Sequence, residues 1–178
     1  MTRYALLLRG INVGGRTKVP MAELRQLLSG LGYAGVATLL QSGNAVVECD
    51  HGPGELVAEV ERAIGDRFGM AVPCLVRTEE QLRGVIEGNP LATVHDDGAK
   101  LLALFLSEAP DPELLRHNDP TRLDANHIRV GERVIYQWCP DGARNAPDVR
   151  RFVEQNLKVS VTARNWNTVC RLREMLAG

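Results

Sequence analysis

Residues 4–18 read Y-A-L-L-L-R-G-I-N-V-G-G-R-T-K: a short apolar run that empties into a loop rich in glycine and basic side chains. Tyr4, Leu6 and Leu8 fall on one face of an extended chain and Ala5 and Leu7 on the other, the pattern of a strand buried on both sides. The glycines at 10, 14 and 15 allow left-handed backbone, which ends the strand and turns the chain. Pro20 then suits the first position of a helix whose apolar residues Met21, Leu24, Leu27, Leu28 and Leu31 share one face before Gly32 stops it.

Outward from this stretch, the chain alternates elements in a regular order. Residues 36–41 and 44–49 make a hairpin across Ser42-Gly43. Gly52-Pro53 opens a second helix that Gly69 closes, and residues 72–77 form a fourth strand. Thr78 and Gln81 have the spacing of a capping box for a connecting helix that Asn89-Pro90 stops. The same order then returns: a strand over 100–107, a short helix behind Asp111-Pro112, a hairpin of 128–130 with 133–138, a helix from Pro147, and a strand over 159–162. The reading is α+β, with two successive β-α-β-β-α-β units of mixed or antiparallel sheet and helices on one face. We expect one compact domain of two halves, 1–77 and 100–163, joined by the helix and loop of 78–99 and finished by a C-terminal helix over 164–178. Since helices cover one face of each sheet, the other face of the strands at 4–9 and 101–106 needs cover from the other half or from a second chain.

Right-handed connections in such a unit insert the third strand between the first two. The loop of Arg9–Lys18 and the turn of Gln41–Asn44 therefore become neighbours. Arg9, Gly10, Asn12, Gly14, Gly15, Arg16 and Lys18 on the loop, with Gln41, Ser42 and Asn44 opposite, make a candidate anion cradle. The plainer alternative is a strand-to-helix connection with solvated basic residues. The loop also comes within one residue of a Walker A motif, because Arg16 stands where lysine belongs. Phosphate in that motif sits on a helix beginning at the Lys-Ser/Thr pair, whereas Pro20 sets this helix later. Arg144, Arg164 and Asn165 are secondary candidates, Asn165 as the cap of the last helix with Arg164 just outside it.

Composition narrows the function classes. The chain has 178 residues, 44% hydrophobic and 24% charged, with a net charge of −1. Charge is uneven: residues 1–25 carry five basic groups against Glu23, and residues 141–178 seven basic against four acidic, so both ends are basic and the middle is acidic. The third strand, N-A-V-V-E-C, lacks the aromatic side chains on which an RNA-binding sheet stacks bases. Sequence-specific nucleic acid is not an expected partner; an anionic small molecule is, and a homodimer remains open. No apolar run reaches membrane-spanning length and no signal peptide is evident, so the expectation is a cytoplasmic protein with no membrane partner.

Cys49, Cys74, Cys139 and Cys170 are scattered and read as buried thiols. His95, Asp96 and Asp97 sit in a polar loop and are read as a solvated turn, so no metal is expected. Neither the glycine loop nor the facing turn contains His, Cys, Asp or Glu, and Ser42 has no base in sequence reach. Acid–base chemistry would need a carboxylate such as Glu23. Binding requires fewer assumptions than catalysis, and the catalytic residues and any cofactor remain unassigned. The alternatives are an enzyme acting on the same ligand and an interaction protein whose motifs are purely structural.

L-L-R-G-I-N-V-G-G (7–15), M-A-E-L-R (21–25), Q-S-G-N (41–44) and T-A-R-N-W-N-T-V (162–169) together resemble the bacterial domain-of-unknown-function family 1697. The resemblance implies two ferredoxin-like repeats and supplies no activity. The chain departs from it after the last hairpin: where the family has a Gly-Arg-Ser-Lys-Leu-like segment, Arg144 is kept but Asn145 and Ala146 replace Ser and Lys.

Overall fold

A computed structural model describes every residue except Arg16 and His95. The chain divides into two units, Met1–Leu82 with Leu172–Gly178, and Arg83–Arg171.

In the first unit, β1 (Thr2–Leu8), α1 (Met21–Gly30), β2 (Ala34–Leu39), β3 (Asn44–Cys49), α2 (Pro53–Phe68) and β4 (Cys74–Thr78) follow one another. Their sheet has the order β2-β3-β1-β4, and every neighbouring pair is antiparallel. The third strand does insert between the first two, in the ferredoxin-like arrangement. Tyr4, Leu6 and Leu8 point into a core with Leu24 and Leu28 of α1 and Leu56, Val60 and Ile64 of α2. Burying side chains of this size stabilises the fold by roughly 1.5–3 kcal/mol each. Ala5 and Leu7, on the opposite face, are fully buried as well, as the two-sided apolar pattern required. The helix α3 (Glu79–Glu87) follows β4 at once. Its start is a reciprocal capping box: Gln81 N–H donates to Thr78 Oγ1 at 3.2 Å and Thr78 N–H to Gln81 Oε1 at 2.9 Å.

The second unit holds β5 (Leu101–Leu106), α4 (Pro112–His117), β6 (Ile128–Val130), β7 (Val134–Trp138), α5 (Val149–Asn156) and β8 (Val161–Asn165), and the last helix, α6 (Trp166–Ala177), begins in it. Its sheet, β6-β7-β5-β8, repeats the first in order and is antiparallel throughout. Leu104, Leu106, Ile135 and Val161 form its core with Val149, Val153 and Leu157.

Boundaries differ from the sequence reading where backbone geometry overrides propensity. The second strand spans Ala34–Leu39, and Leu40 leaves it at φ 59° to start the turn. The fourth and last strands start later than expected, at Cys74 and Val161, and β8 continues to Asn165 because its ladder with β5 runs that far. Pro20 is the N-cap of α1 and not its first residue. Pro147 likewise precedes the true cap of α5, Asp148, whose carboxylate accepts from Arg151 N–H at 3.0 Å. A proline ring fixes φ but offers no acceptor, so Asp148 takes the capping position.

Tyr136 ties β7 to α3. Its hydroxyl donates to the Val85 carbonyl at 2.7 Å in a buried setting, and burial pushes its pKa up to about 12. Burial and Glu59 raise Tyr33 in the same direction. A phenol with a raised folded-state pKa contributes its full stability below its unfolded value near 10 and loses it as pH climbs through the folded value. Stability should therefore fall between about pH 10 and 12. Tyr136→Phe should cost roughly 1–3 kcal/mol at neutral pH, because the Val85 carbonyl is left unpaired, and should flatten that alkaline slope. Urea denaturation of both proteins across pH 8–12 checks this.

Candidate functional site

The glycine-rich loop is pinned at both ends by apolar side chains. Ile11 and Val19 are fully buried, while Gly14 and Gly15 between them are exposed at φ 61° and 72°. Asn12 closes the loop, itself at φ 55°. Its Oδ1 accepts from Val19 N–H at 2.9 Å, its Nδ2 donates to the Val19 carbonyl at 2.9 Å, and its backbone N–H donates to the Thr17 carbonyl at 3.0 Å. The same Nδ2 reaches across to the Gln41 carbonyl at 2.7 Å. The loop and the turn are thus neighbours, as the topology demanded.

The turn has its own clasp. Asn44 is fully buried, and its Nδ2 donates to the Leu39 carbonyl at 3.0 Å and to Ser42 Oγ at 3.2 Å. Leu8 N–H donates to the Gly43 carbonyl at 2.8 Å. Gly43 sits at φ 100°, and a Cβ there would lie 2.8 Å from Ile11 Cδ1 and 2.9 Å from Leu8 Cβ. Only glycine fits this crossing of turn over strand.

A cavity of about 560 Å³ opens beside the loop, lined by Asn12, Gly15, Lys18, Val19, Gln41, the cap Pro20 and the first residues of α1, Met21 and Ala22. Pro20 provides no side-chain cap, so the cap position leaves the first-turn N–H groups of α1 without the acceptor a Ser, Thr, Asp or Asn would supply. Lys18 is exposed and makes no ion pair among the described residues. Because α1 starts only at Met21, the loop is not a Walker A loop.

The family described as protein of unknown function (DUF1697) matches residues 1–136, three quarters of the chain. The chain belongs to this family. Among solved structures, the conserved bacterial protein SP0830 from Streptococcus pneumoniae is similar to it, with 25% identity over 98% of both chains and a TM-score of 0.69. Comparison with curated proteins returned no match.

In this DUF1697 chain the expected site residues sort into two kinds. Asn12 and Asn44, expected as ligand-facing donors, have their amides committed to the loop and turn. Gly10, Gly14 and Gly15 take the positive φ expected of them. Lys18 and Gln41 line the cavity; Ser42 is exposed and accepts from Asn44. Arg9 is half-buried at the end of β1, its N–H donating to the Pro73 carbonyl at 3.0 Å. Arg16 lies outside the described residues. The residues the sequence reading missed are Pro20, Met21 and Ala22, for which the signal was a helix opening on a proline with no Ser, Thr, Asp or Asn before it. Glu23, the carboxylate nearest the loop in sequence, is paired with Arg67 at 3.2 Å.

The secondary candidates lie in the second unit. Arg144 is exposed on a 3-10 turn (Ala143–Asn145), and Arg164 Nη1 donates to the Ala163 carbonyl at 2.8 Å. Asn165 caps α6 as expected, its Oδ1 accepting from Thr168 N–H at 3.0 Å and Thr168 Oγ1 at 3.1 Å.

Two readings of reactive side chains change. Cys49, Cys74 and Cys139 are buried, with the Cys139 thiol pushed up to about 11 by burial, but Cys170 is only half-buried. His51, which the sequence reading did not single out, lies between Glu55 at 3.2 Å and Glu59 at 3.0 Å, and Tyr33 hydroxyl donates to the same Glu59 oxygen. The helical spacing of 51, 55 and 59 was the available signal. His95 lies outside the described residues, and among those described no three His, Cys, Asp or Glu side chains could hold a metal.

Asn12→Ala removes three side-chain hydrogen bonds from a partly buried clasp and should destabilise the protein by roughly 2–3 kcal/mol at about 1 kcal/mol each. Gly43→Ala combines a clash with a left-handed φ and should cost at least ~2 kcal/mol. Chemical denaturation midpoints measure both, and a change under ~0.5 kcal/mol in either would mean that the clasp does not hold this edge together.

Proposed function

We infer that the protein binds a phosphorylated or otherwise anionic small molecule at the edge formed by the Arg9–Lys18 loop and the Gln41–Asn44 turn. The observation that carries this reading is the cavity of about 560 Å³ between Lys18, Gln41 and the uncapped first turn of α1. Helix N-termini concentrate partial positive charge and free N–H donors, and a lysine beside them adds a full charge. The left-handed backbone at Asn12, Thr17 and Leu40, in addition to the glycines, supports it. Each such residue costs of order 1–3 kcal/mol, and such strain gathers where a binding surface needs a fixed shape. With Glu23 held by Arg67, binding accounts for these features without a catalytic acid or base.

A thermal-shift screen against nucleotides, phosphosugars and anionic cofactors tests the reading. A true ligand at about 100 times its dissociation constant should add ~2.7 kcal/mol of stability. Lys18→Gln should leave the unliganded protein within ~0.5 kcal/mol of the parent and weaken the hit by roughly 1.5–3 kcal/mol. Arg16→Gln should weaken it too. Anion affinity untouched by both substitutions, or a screen without a single stabilising anion, would make the loop a structural connection.

A further inference from the structure

The two sheets have the same strand order, yet they are not filled alike. In the first, Tyr4 pairs with Val47 and Thr78, and Leu6 with Val76. Tyr4, Val47 and Val76 all belong to a closed core beneath α2, a helix of 16 residues. At the matching places of the second sheet, Leu102 pairs with Gln137 and Leu104 with Ala163. A leucine replaces the tyrosine, an alanine a valine, and an amide a valine. The covering helix, α5, has only 8 residues, which leaves roughly 12 Å less helix over the sheet.

The result is a cavity of about 320 Å³ with Leu102, Leu104 and Ala163 as an apolar floor. Gln137 lines it at 3% exposure. Its Nε2 donates to the Pro147 carbonyl at 3.0 Å, while its Oε1 has no hydrogen-bond partner among the described residues. Where the other sheet has valine, this amide keeps its donor end paired and leaves an acceptor that can serve an occupant of the cavity. Arg144, Arg150 and Asp148 are the charged residues of the lining. Neither arginine makes an ion pair among the described residues, and one Asp148 oxygen is used in capping α5. The lining charge is therefore +1.

We propose that this cavity binds a small monocarboxylic acid with an apolar body and a hydroxyl or amide N–H. The body lies on Leu102, Leu104 and Ala163, the donor satisfies Gln137 Oε1, and the carboxylate meets the guanidinium forks of Arg144 and Arg150, which match its geometry. Asp148 beside them disfavours a dianion such as a phosphomonoester, which separates this ligand class from the one inferred for the glycine-rich loop. A volume near 320 Å³ is at the small end of ligand pockets.

The test uses the full-length, ¹⁵N-labelled protein titrated with 4-hydroxyphenylacetate to about 10 mM, a range that detects millimolar binding. Saturable shifts are expected at the Gln137 side-chain amide and the backbone amides of residues 148–150. Phenylacetate, lacking the hydroxyl, should bind the parent about ten-fold more weakly, and Gln137→Leu should erase that preference. Ala163→Leu fills the floor and should abolish the shifts; Arg144→Gln, at an exposed position that leaves the fold intact, should weaken binding by about five-fold or more. No saturable shift at these residues with either acid overturns the proposal. So do unchanged affinity in Arg144→Gln and unchanged shifts in a folded Ala163→Leu protein.

Discussion

The side-chain amide of Asn12 is the constraint on which the candidate site depends. One small group holds the Val19 N–H, the Val19 carbonyl and, across the gap, the Gln41 carbonyl, joining a loop and a turn that lie 29 residues apart. Each of these bonds contributes about 1 kcal/mol net, but their geometric effect is larger than their energy. They tie Val19, which stands between Lys18 and the α1 cap, to the turn. The buried Ile11 and Val19 supply the apolar anchors at either end, so the loop is a bracket held at both ends.

Behind this bracket the central strands do the organising. β1 and β5 each pair on both sides, and each is apolar on both faces, which suits them to the centre of their sheets. The two sheets then diverge through helix length and a few side chains. Tyr4, Val47 and a 16-residue α2 close the first core. Leu102, Gln137 and an 8-residue α5 leave the second open on one side.

Much of this was legible in the chain. Element order, the insertion of the third strand, the capping box at Thr78 and Gln81, the Asn165 cap and the meeting of loop and turn all follow from periodicity, capping chemistry and handedness. The roles of Asn12 and Asn44 were not. An asparagine offers the same two donors and one carbonyl to a ligand or to the backbone, and only the distances to Val19, Gln41 and Leu39 show which is served. Pro20 and Pro147 misled by one and two positions for a related reason: proline marks the start of a helix well but does not fix which residue caps it.

The sequence by itself determined the α+β class, the insertion of the third strand between the first two and the region where polar and basic residues collect, because alternation, glycine positions and helix caps are local properties of the chain. Tertiary structure alone decided which polar groups remain available. Hydrogen-bond partners such as Asn12 with Gln41, or Tyr136 with Val85, are 29 and 51 residues apart. Cavities arise where a helix stops short of its sheet, which depends on lengths compared in space. Local pattern carries no record of either, since both are set by which surfaces the folded chain brings into contact.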